Sequence, residues 1–393
     1  MAIKGADRLN LVQDYYFVKK LEEIKSLNDQ GKKVINLGIG SPDMAPSEKT
    51  IAALVHSASS SNTHGYQNYK GIPEFRSKIA SFYKSTYNVA LDANTEILPL
   101  LGSKEGILHL SMAFLNPGDA ALIPDPGYPT YTSLTKLTGG RVITYDLTEE
   151  NGWYPDLKKI EANGLDGVKI MWLNYPHMPT GTKANKSKLQ EIVNFAIKHN
   201  ILLCHDNPYS QVLNEEQPIS ILSLEGAKDV AVELNSFSKS FNMAGWRVGM
   251  LVGKAEFLAA ALRIKSNIDS GMFLGIQQAA IAALENDPEW HNLRNEEYAN
   301  RRKYVYEILD YLEAKYDVNQ TGMFIWAKAP QNVQNTEILI NNLLYKCNVF
   351  ITPGSIFGKN GEQYIRISLC ATQDQLKEAL ERIKNFKTSE LFN

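Results

Sequence analysis

Between residues 120 and 252, short apolar runs alternate with segments of helical period, and this alternation narrows the possible folds more than any other feature of the chain. The runs fall at 120–124, 142–145, 168–173, 201–204, 230–234 and 248–252. Helical patterns lie between several of them; the clearest, 187–198, places apolar residues at 189, 192, 193, 196 and 197. Strands alternating with helices predict an α/β fold with a mostly parallel, doubly wound sheet. Such sheets bind ligands beyond the carboxyl ends of their strands. After about residue 290 the pattern changes to a charged, aromatic-studded helix over 296–310 and short strands at 323–326 and 364–368. That predicts three stretches: an arm and helix at 1–45, a large domain at 46–290, and a smaller α+β domain at 291–393 that the first stretch joins.

Composition sets the outer bounds. A chain of 393 residues suits two or three domain-sized units with a large core. Its 41 Lys+Arg against 43 Asp+Glu leave a net charge of −2, which suggests neither a nucleic-acid nor an anionic-membrane partner. The first residues hold no apolar stretch like that of a signal peptide, and no run approaches the roughly 18 apolar residues of a membrane span. Cys204, Cys347 and Cys370 are too widely spaced for a disulfide framework or a metal motif. The expectation is a reduced, cytoplasmic enzyme without a metal.

The chemistry concentrates in Ser236-Phe-Ser-Lys239-Ser-Phe-Asn-Met-Ala-Gly-Trp-Arg247-Val-Gly249, so that Lys239 emerges just past the apolar run at 230–234. A lysine does covalent chemistry only when its amine is partly deprotonated, by desolvation or by a nearby cation. Ser236 and Ser238 offer hydroxyl donors, and Arg247 offers a planar fork suited to phosphate. A lysine beside a phosphate site is what pyridoxal 5′-phosphate needs, because that cofactor is held both as a Schiff base and by its phosphate. Asp206, after the run at 201–204, could accept from a protonated pyridine nitrogen or form the turn before Asn207-Pro208. Leu101-Gly-Ser103-Lys104-Glu-Gly106 opens a helical pattern, and free amides at a helix start suit phosphate. Arg366 sits in an otherwise apolar strand and needs a partner, for which a carboxylate is natural.

With these residues assembled, the chain resembles the class I/II aminotransferases of the fold type I pyridoxal-phosphate enzymes, from about residue 30 to 385. The resemblance implies a large domain with a mostly parallel seven-stranded sheet, a small domain from both termini, and a homodimer sharing its active sites. It makes Lys239 the Schiff-base lysine, Asp206 the partner of the pyridine nitrogen and Tyr209 a ligand of the ring's phenolic oxygen. Ser103 and Lys104 would give their amides to the phosphate beside Ser236, Ser238 and Arg247. Tyr128 would stack on the ring, and Tyr66 would reach the phosphate from the partner subunit. Arg366 would clamp the substrate's α-carboxylate, with the amide of Gly40 approaching the same group and Asn174 in the substrate site. One departure stands out. Asn174-Tyr-Pro-His177-Met178-Pro-Thr-Gly181 carries Met178 where the family usually has an Asn that donates to the phenolic oxygen, and a thioether cannot donate. His177 or a water would have to compensate.

The implied reaction moves an amino group from an α-amino acid to a 2-oxo acid with ping-pong kinetics, Lys239 serving as general base and acid. The same residues would also serve a carbon–sulfur β-lyase. A ligand domain of a transcription regulator would need a DNA-binding module ahead of it, for which the residues before Val34 are too few. For the substrate, Lys104 and Arg263 are candidates to meet a distal carboxylate, whereas Tyr15 and Tyr16 would favour apolar or aromatic side chains.

Overall fold

The computed structural model describes residues 3–12 and 14–392. Its largest sheet has seven strands in the order Ile97–Leu100, Gly249–Gly253, Ala231–Ser236, Leu202–Asp206, Val168–Asn174, Ala120–Asp125 and Arg141–Asp146. All neighbours run parallel except Gly249–Gly253, which is antiparallel to both strands beside it. The six predicted runs all appear here, each within two residues of its expected ends. The seventh strand, Ile97–Leu100, carries Pro99 at its centre, which argues against a strand in a sequence. At a sheet edge the missing N–H is tolerated, and this strand pairs on one side only, Pro99 opposite Met250.

Both faces of the sheet are covered, which is why its strands read as continuous apolar runs. Ile170 and Trp172 pack with Leu110, Tyr131 and Leu258 on one face, while Met171 and Leu173 pack with Phe75, Ile79, Leu189 and Val193 on the other. The helix Lys186–His199 begins where the Asn185 side chain accepts the Lys188 amide at 3.0 Å and ends at Asn200, in the left-handed conformation. It buries Leu189, Ile192, Val193, Phe195 and Ala196, leaving Ile197 in solvent.

A second core collects both ends of the chain. Four antiparallel strands, Thr352–Pro353, Tyr364–Ser368, Phe324–Lys328 and Lys315–Tyr316 in that order, pack with the helices Pro288–Tyr311, Thr336–Cys347 and Gln373–Lys384. The N-terminal helix Tyr16–Asp29 contributes Phe17 and Ile24, and Ile35–Asn36 pairs in parallel with Val349–Phe350. The small α+β part is thus built from both termini. The helix Pro288–Tyr311 runs unbroken through the position where the sequence suggests a boundary. Among the described residues, no helix is long and apolar enough to cross a membrane.

Candidate active site

The sheet's parallel strands end together at one edge, and the reactive side chains stand there. Asn174 and Asp206 are the last residues of neighbouring strands and pair across the sheet; Ser236 ends the next. Because Gly249–Gly253 runs the other way, Arg247 enters at the same edge, with Gly249 opposite both Ser236 and Leu100. Ser103 begins the helix Ser103–Phe114 just past the end of Ile97–Leu100. These residues line a cavity of about 450 Å³ together with Gly40, Lys104, Tyr128, Tyr209, Lys239, Arg366 and Met178.

Asp206 is buried. Its Oδ2 accepts from Tyr131 Oη at 2.9 Å, and its Oδ1 has no hydrogen-bond partner. Burial raises its pKa to about 6, outweighing the Tyr131 hydrogen bond, which pulls the other way. An orphaned carboxylate oxygen in a dry site is costly unless a cation or a protonated heterocycle faces it. Tyr131 itself stacks on Trp172 with ring centroids 4.9 Å apart. No motif in the sequence marks this tyrosine; its one signal is its place three residues after Tyr128, in the first turn of the helix Pro129–Leu137 that Tyr128 precedes.

Lys239 lies in the single turn Phe237–Ser240, and its ammonium donates to the carbonyl of Gly40. Burial lowers its pKa, and the cations Arg366 and Arg247 add to that, with Cys370 opposing. Ser236 accepts the Ser238 amide at 3.1 Å, which leaves its hydroxyl proton free to donate. Gly102, before Ser103, has φ +91°, and a Cβ there would run into the Arg247 guanidinium. The Gly102–Lys104 turn and the Arg247 guanidinium therefore sit close together in one cradle, suited in its chemistry to an anion, that a larger residue at 102 would fill. Lys104 lies with its ammonium 4.8 Å above the Tyr15 ring, its pKa lowered by burial and then by Arg247.

Arg366 stands among three rings, its guanidinium carbon 3.9 Å from the centre of Phe324, 4.6 Å from Phe357 and 5.7 Å from Phe17. One amino group donates to the carbonyl of Gly38 at 2.8 Å, and its Nε is buried without a partner. Burial pulls its pKa down to about 10, so it stays charged at neutral pH. A Cβ on Gly40 would collide with the Phe324 ring, so the glycine keeps this corner open. Tyr209 is a buried phenol whose pKa burial raises, leaving it protonated and able to donate. Tyr128 meets Tyr131 edge-on at 5.5 Å.

Asn174 braces the floor: its Nδ2 donates to the Asp206 carbonyl at 2.6 Å and its Oδ1 accepts the Met178 amide at 2.7 Å. The Met178 sulfur sits 3.3 Å from Arg366 Nη1, so the departure from the family pattern touches the arginine. His177 does not compensate. It lies outside the cavity lining, bonded through Nδ1 to Thr180 at 2.8 Å and kept neutral by burial, which lowers its pKa to about 3. Two other residues stand apart: Arg263 is exposed on the helix Ala255–Lys265, away from the cavity, and Tyr66 is 93% exposed. Tyr15 lines the cavity, whereas Tyr16 does not.

The donor set fits a phosphate-bearing, protonatable aromatic ring: a hydroxyl and amide cradle with an arginine, an aromatic wall, and an orphaned carboxylate. The sheet and its strand-end lysine place the chain among the α/β enzymes of fold type I. The family model for aminotransferase class I and II matches residues 32–383, and the chain belongs to that family. It is 40% identical to the LL-diaminopimelate aminotransferase of Halothermothrix orenii over 98% of both chains. With that of Natranaerobius thermophilus it shares 42% over 97% of this chain and 99% of the other. Substrate-bound BacF from Bacillus subtilis superposes with a TM-score of 0.93 at 36% identity, over 98% of both chains. A probable N-succinyldiaminopimelate aminotransferase from Thermus thermophilus gives 0.87 at 32%, over 94% of this chain and 99% of that one. The chain is an aminotransferase, and the carbon–sulfur lyase alternative is not favoured.

Proposed function

We propose that this aminotransferase binds pyridoxal 5′-phosphate at Lys239 and passes amino groups from an α-amino acid to a 2-oxo acid in a two-stage cycle. The observation that carries the reading is the unpartnered Oδ1 of buried Asp206, in the same cavity as Lys239 and the Gly102–Arg247 cradle. The cofactor, when bound, supplies an electron sink for charge developing at the substrate Cα. Asp206 holds a proton on the pyridine nitrogen. Tyr209 donates to the phenolic oxygen, and Tyr128 packs on the ring. The amides of Ser103 and Lys104, the hydroxyls of Ser236 and Ser238, and Arg247 hold the phosphate. Lys239, its pKa lowered, takes and returns the proton at the substrate Cα. Arg366 pairs with the α-carboxylate at the corner that Gly40 and Asn174 leave open.

The exposure of Tyr66 supports a homodimer in which it serves the partner's site, and the separate cores support a large unit and a small one from both termini. The three cysteines are all free thiols, which supports a reducing compartment, the cytoplasm. The relatives' names raise LL-diaminopimelate as a donor. Lys104 is the one lining cation without a task above, and a distal carboxylate would meet it. The test is to titrate the protein with pyridoxal 5′-phosphate while following visible absorbance. Wild type develops a lysine-dependent band and releases 2-oxo acid. Lys239→Ala lacks the band and loses about 10³-fold or more in turnover. A Lys239→Ala protein that keeps both would overturn the assignment.

A further inference from the structure

Outside the cavity lining, Glu105 and His109 stand one turn apart on one face of the helix Ser103–Phe114. That helix packs on Ala255–Lys265, where Phe114 meets Phe257 edge-on at 5.9 Å. The turn that follows Lys265 brings Asp269 to the same place. One donor atom from each of Glu105, His109 and Asp269 lies within 4.8 Å of the other two. His109 is fully buried, and neither of its ring nitrogens has a hydrogen-bond partner among the described residues. Its Nε2 lies 3.6 Å from Glu105 Oε1. That is too long for a hydrogen bond, but close to the roughly 3.4 Å between two ligands on a tetrahedral cation with bonds of about 2.1 Å. A buried imidazole without a partner costs free energy that a bound group would recover. Both nitrogens are enclosed within one protomer, so a second subunit cannot supply that group.

We propose that Glu105, His109 and Asp269 form a site for zinc or a similar divalent transition metal, which pins the helix Ser103–Phe114 to the turn before Asp269. An imidazole beside two carboxylates is a mixed nitrogen and oxygen set, which suits zinc; magnesium and calcium favour oxygen alone. The charge that faces Asp269 in this structure is the ammonium of buried Lys265, 2.8 and 2.6 Å from its two oxygens. It satisfies Asp269 and leaves His109 unmet, whereas a metal would serve all three ligands. Asp269 also accepts the Gly271 amide at 2.8 Å, and Glu105 the Leu101 amide at 2.7 Å. A carboxylate has about four lone-pair sites, so both can keep these bonds and still ligate. Lys265 is the competitor: its like charge opposes the metal, and its flexible stem lets the ammonium withdraw when the metal takes its place on Asp269.

The experiment is equilibrium dialysis of the cofactor-loaded enzyme, first stripped with a chelator, against zinc, with bound metal measured by elemental analysis. Wild type is expected to take up one zinc per protomer, which excess magnesium does not displace. Glu105→Gln and Asp269→Asn keep acceptors for the Leu101 and Gly271 amides but lose a charged ligand, and each is expected to weaken zinc binding about tenfold or more. Lys265→Met removes the competing charge and is expected to strengthen it by about as much. Zinc should also raise the unfolding temperature of wild type and of Lys265→Met, but not of the other two variants. Wild type that takes up no saturable zinc would overturn the proposal. So would equal affinity in wild type and both ligand variants, which places the metal elsewhere, or a Lys265→Met protein that binds zinc no more tightly than wild type.

Discussion

Replacing Asp206 with Asn removes a buried charge at nearly constant volume. In the cofactor-free protein, burial raises the Asp206 pKa from 3.8 to about 6. A carboxyl whose folded pKa exceeds its unfolded value holds its proton more tightly when folded. Stability therefore falls as pH rises from the unfolded pKa through the folded one, and the full loss is present above both. A gap of about 2 units is worth roughly 3 kcal/mol at pH 8, of which about half is already lost at pH 5. Asn still accepts from Tyr131 but leaves an amide N–H unpartnered, a cost of about 1–3 kcal/mol that does not vary with pH. The prediction therefore concerns the slope. The stability of Asp206→Asn relative to wild type should rise by roughly 1.5 kcal/mol from pH 5 to pH 8, read by urea unfolding of both cofactor-free proteins. Parallel profiles would refute the claim that an ionised, unpaired carboxylate is stored here. With cofactor present the carboxylate gains a partner that Asn cannot replace in full. A charge-assisted hydrogen bond contributes about 1.5–3 kcal/mol, so the variant should bind pyridoxal 5′-phosphate about 10- to 150-fold more weakly.

Gly102→Ala forces a Cβ into the Arg247 guanidinium at φ +91° and ψ +150°, a backbone region open essentially to glycine alone, which costs about 1–3 kcal/mol. Cofactor affinity should fall at least tenfold with helical circular dichroism unchanged; an unaltered dissociation constant refutes the cradle. Met178→Asn restores a donor for the phenolic oxygen, so the visible band of the loaded protein should titrate at lower pH than in wild type. Equal midpoints, or the opposite order, would sink that argument. Because the Met178 sulfur lies 3.3 Å from Arg366, the same variant should also shift the donor's KM.

Much of the architecture was legible because a sheet covered on both faces needs uninterrupted apolar strands, and those runs stand out. Ile97–Leu100 escaped notice because Pro99 contradicts a strand unless one knows it lies at an edge, which is a fact of topology. Local motifs supplied the cavity's lysine, carboxylate and arginines because chemistry there demands particular residue types at strand ends. Tyr131 was hidden by its ordinariness: a tyrosine in a short amphipathic helix reads as packing until its hydroxyl is found on Asp206. Arg263 stands on the exposed side of the helix Ala255–Lys265 and outside the cavity lining, a placement that no local pattern in the sequence marks.

The reversed strand Gly249–Gly253 bears on the order of assembly. It turns the segment holding Lys239 and Arg247 into a hairpin with Ala231–Ser236, so the reactive amine and its anion-binding neighbour are brought together by one short return of the chain. Closing such a loop costs little entropy, and its contacts are local. Arg366 is different: it reaches the cavity only after Tyr364–Ser368 pairs with Phe324–Lys328 and its guanidinium meets Gly38, more than three hundred positions earlier in the chain. A folding chain can thus bring Lys239 and Arg247 together before Arg366 reaches the cavity. Conversely, partial fraying of the terminal layers would loosen the hold on the amino acid while leaving the lysine hairpin closed.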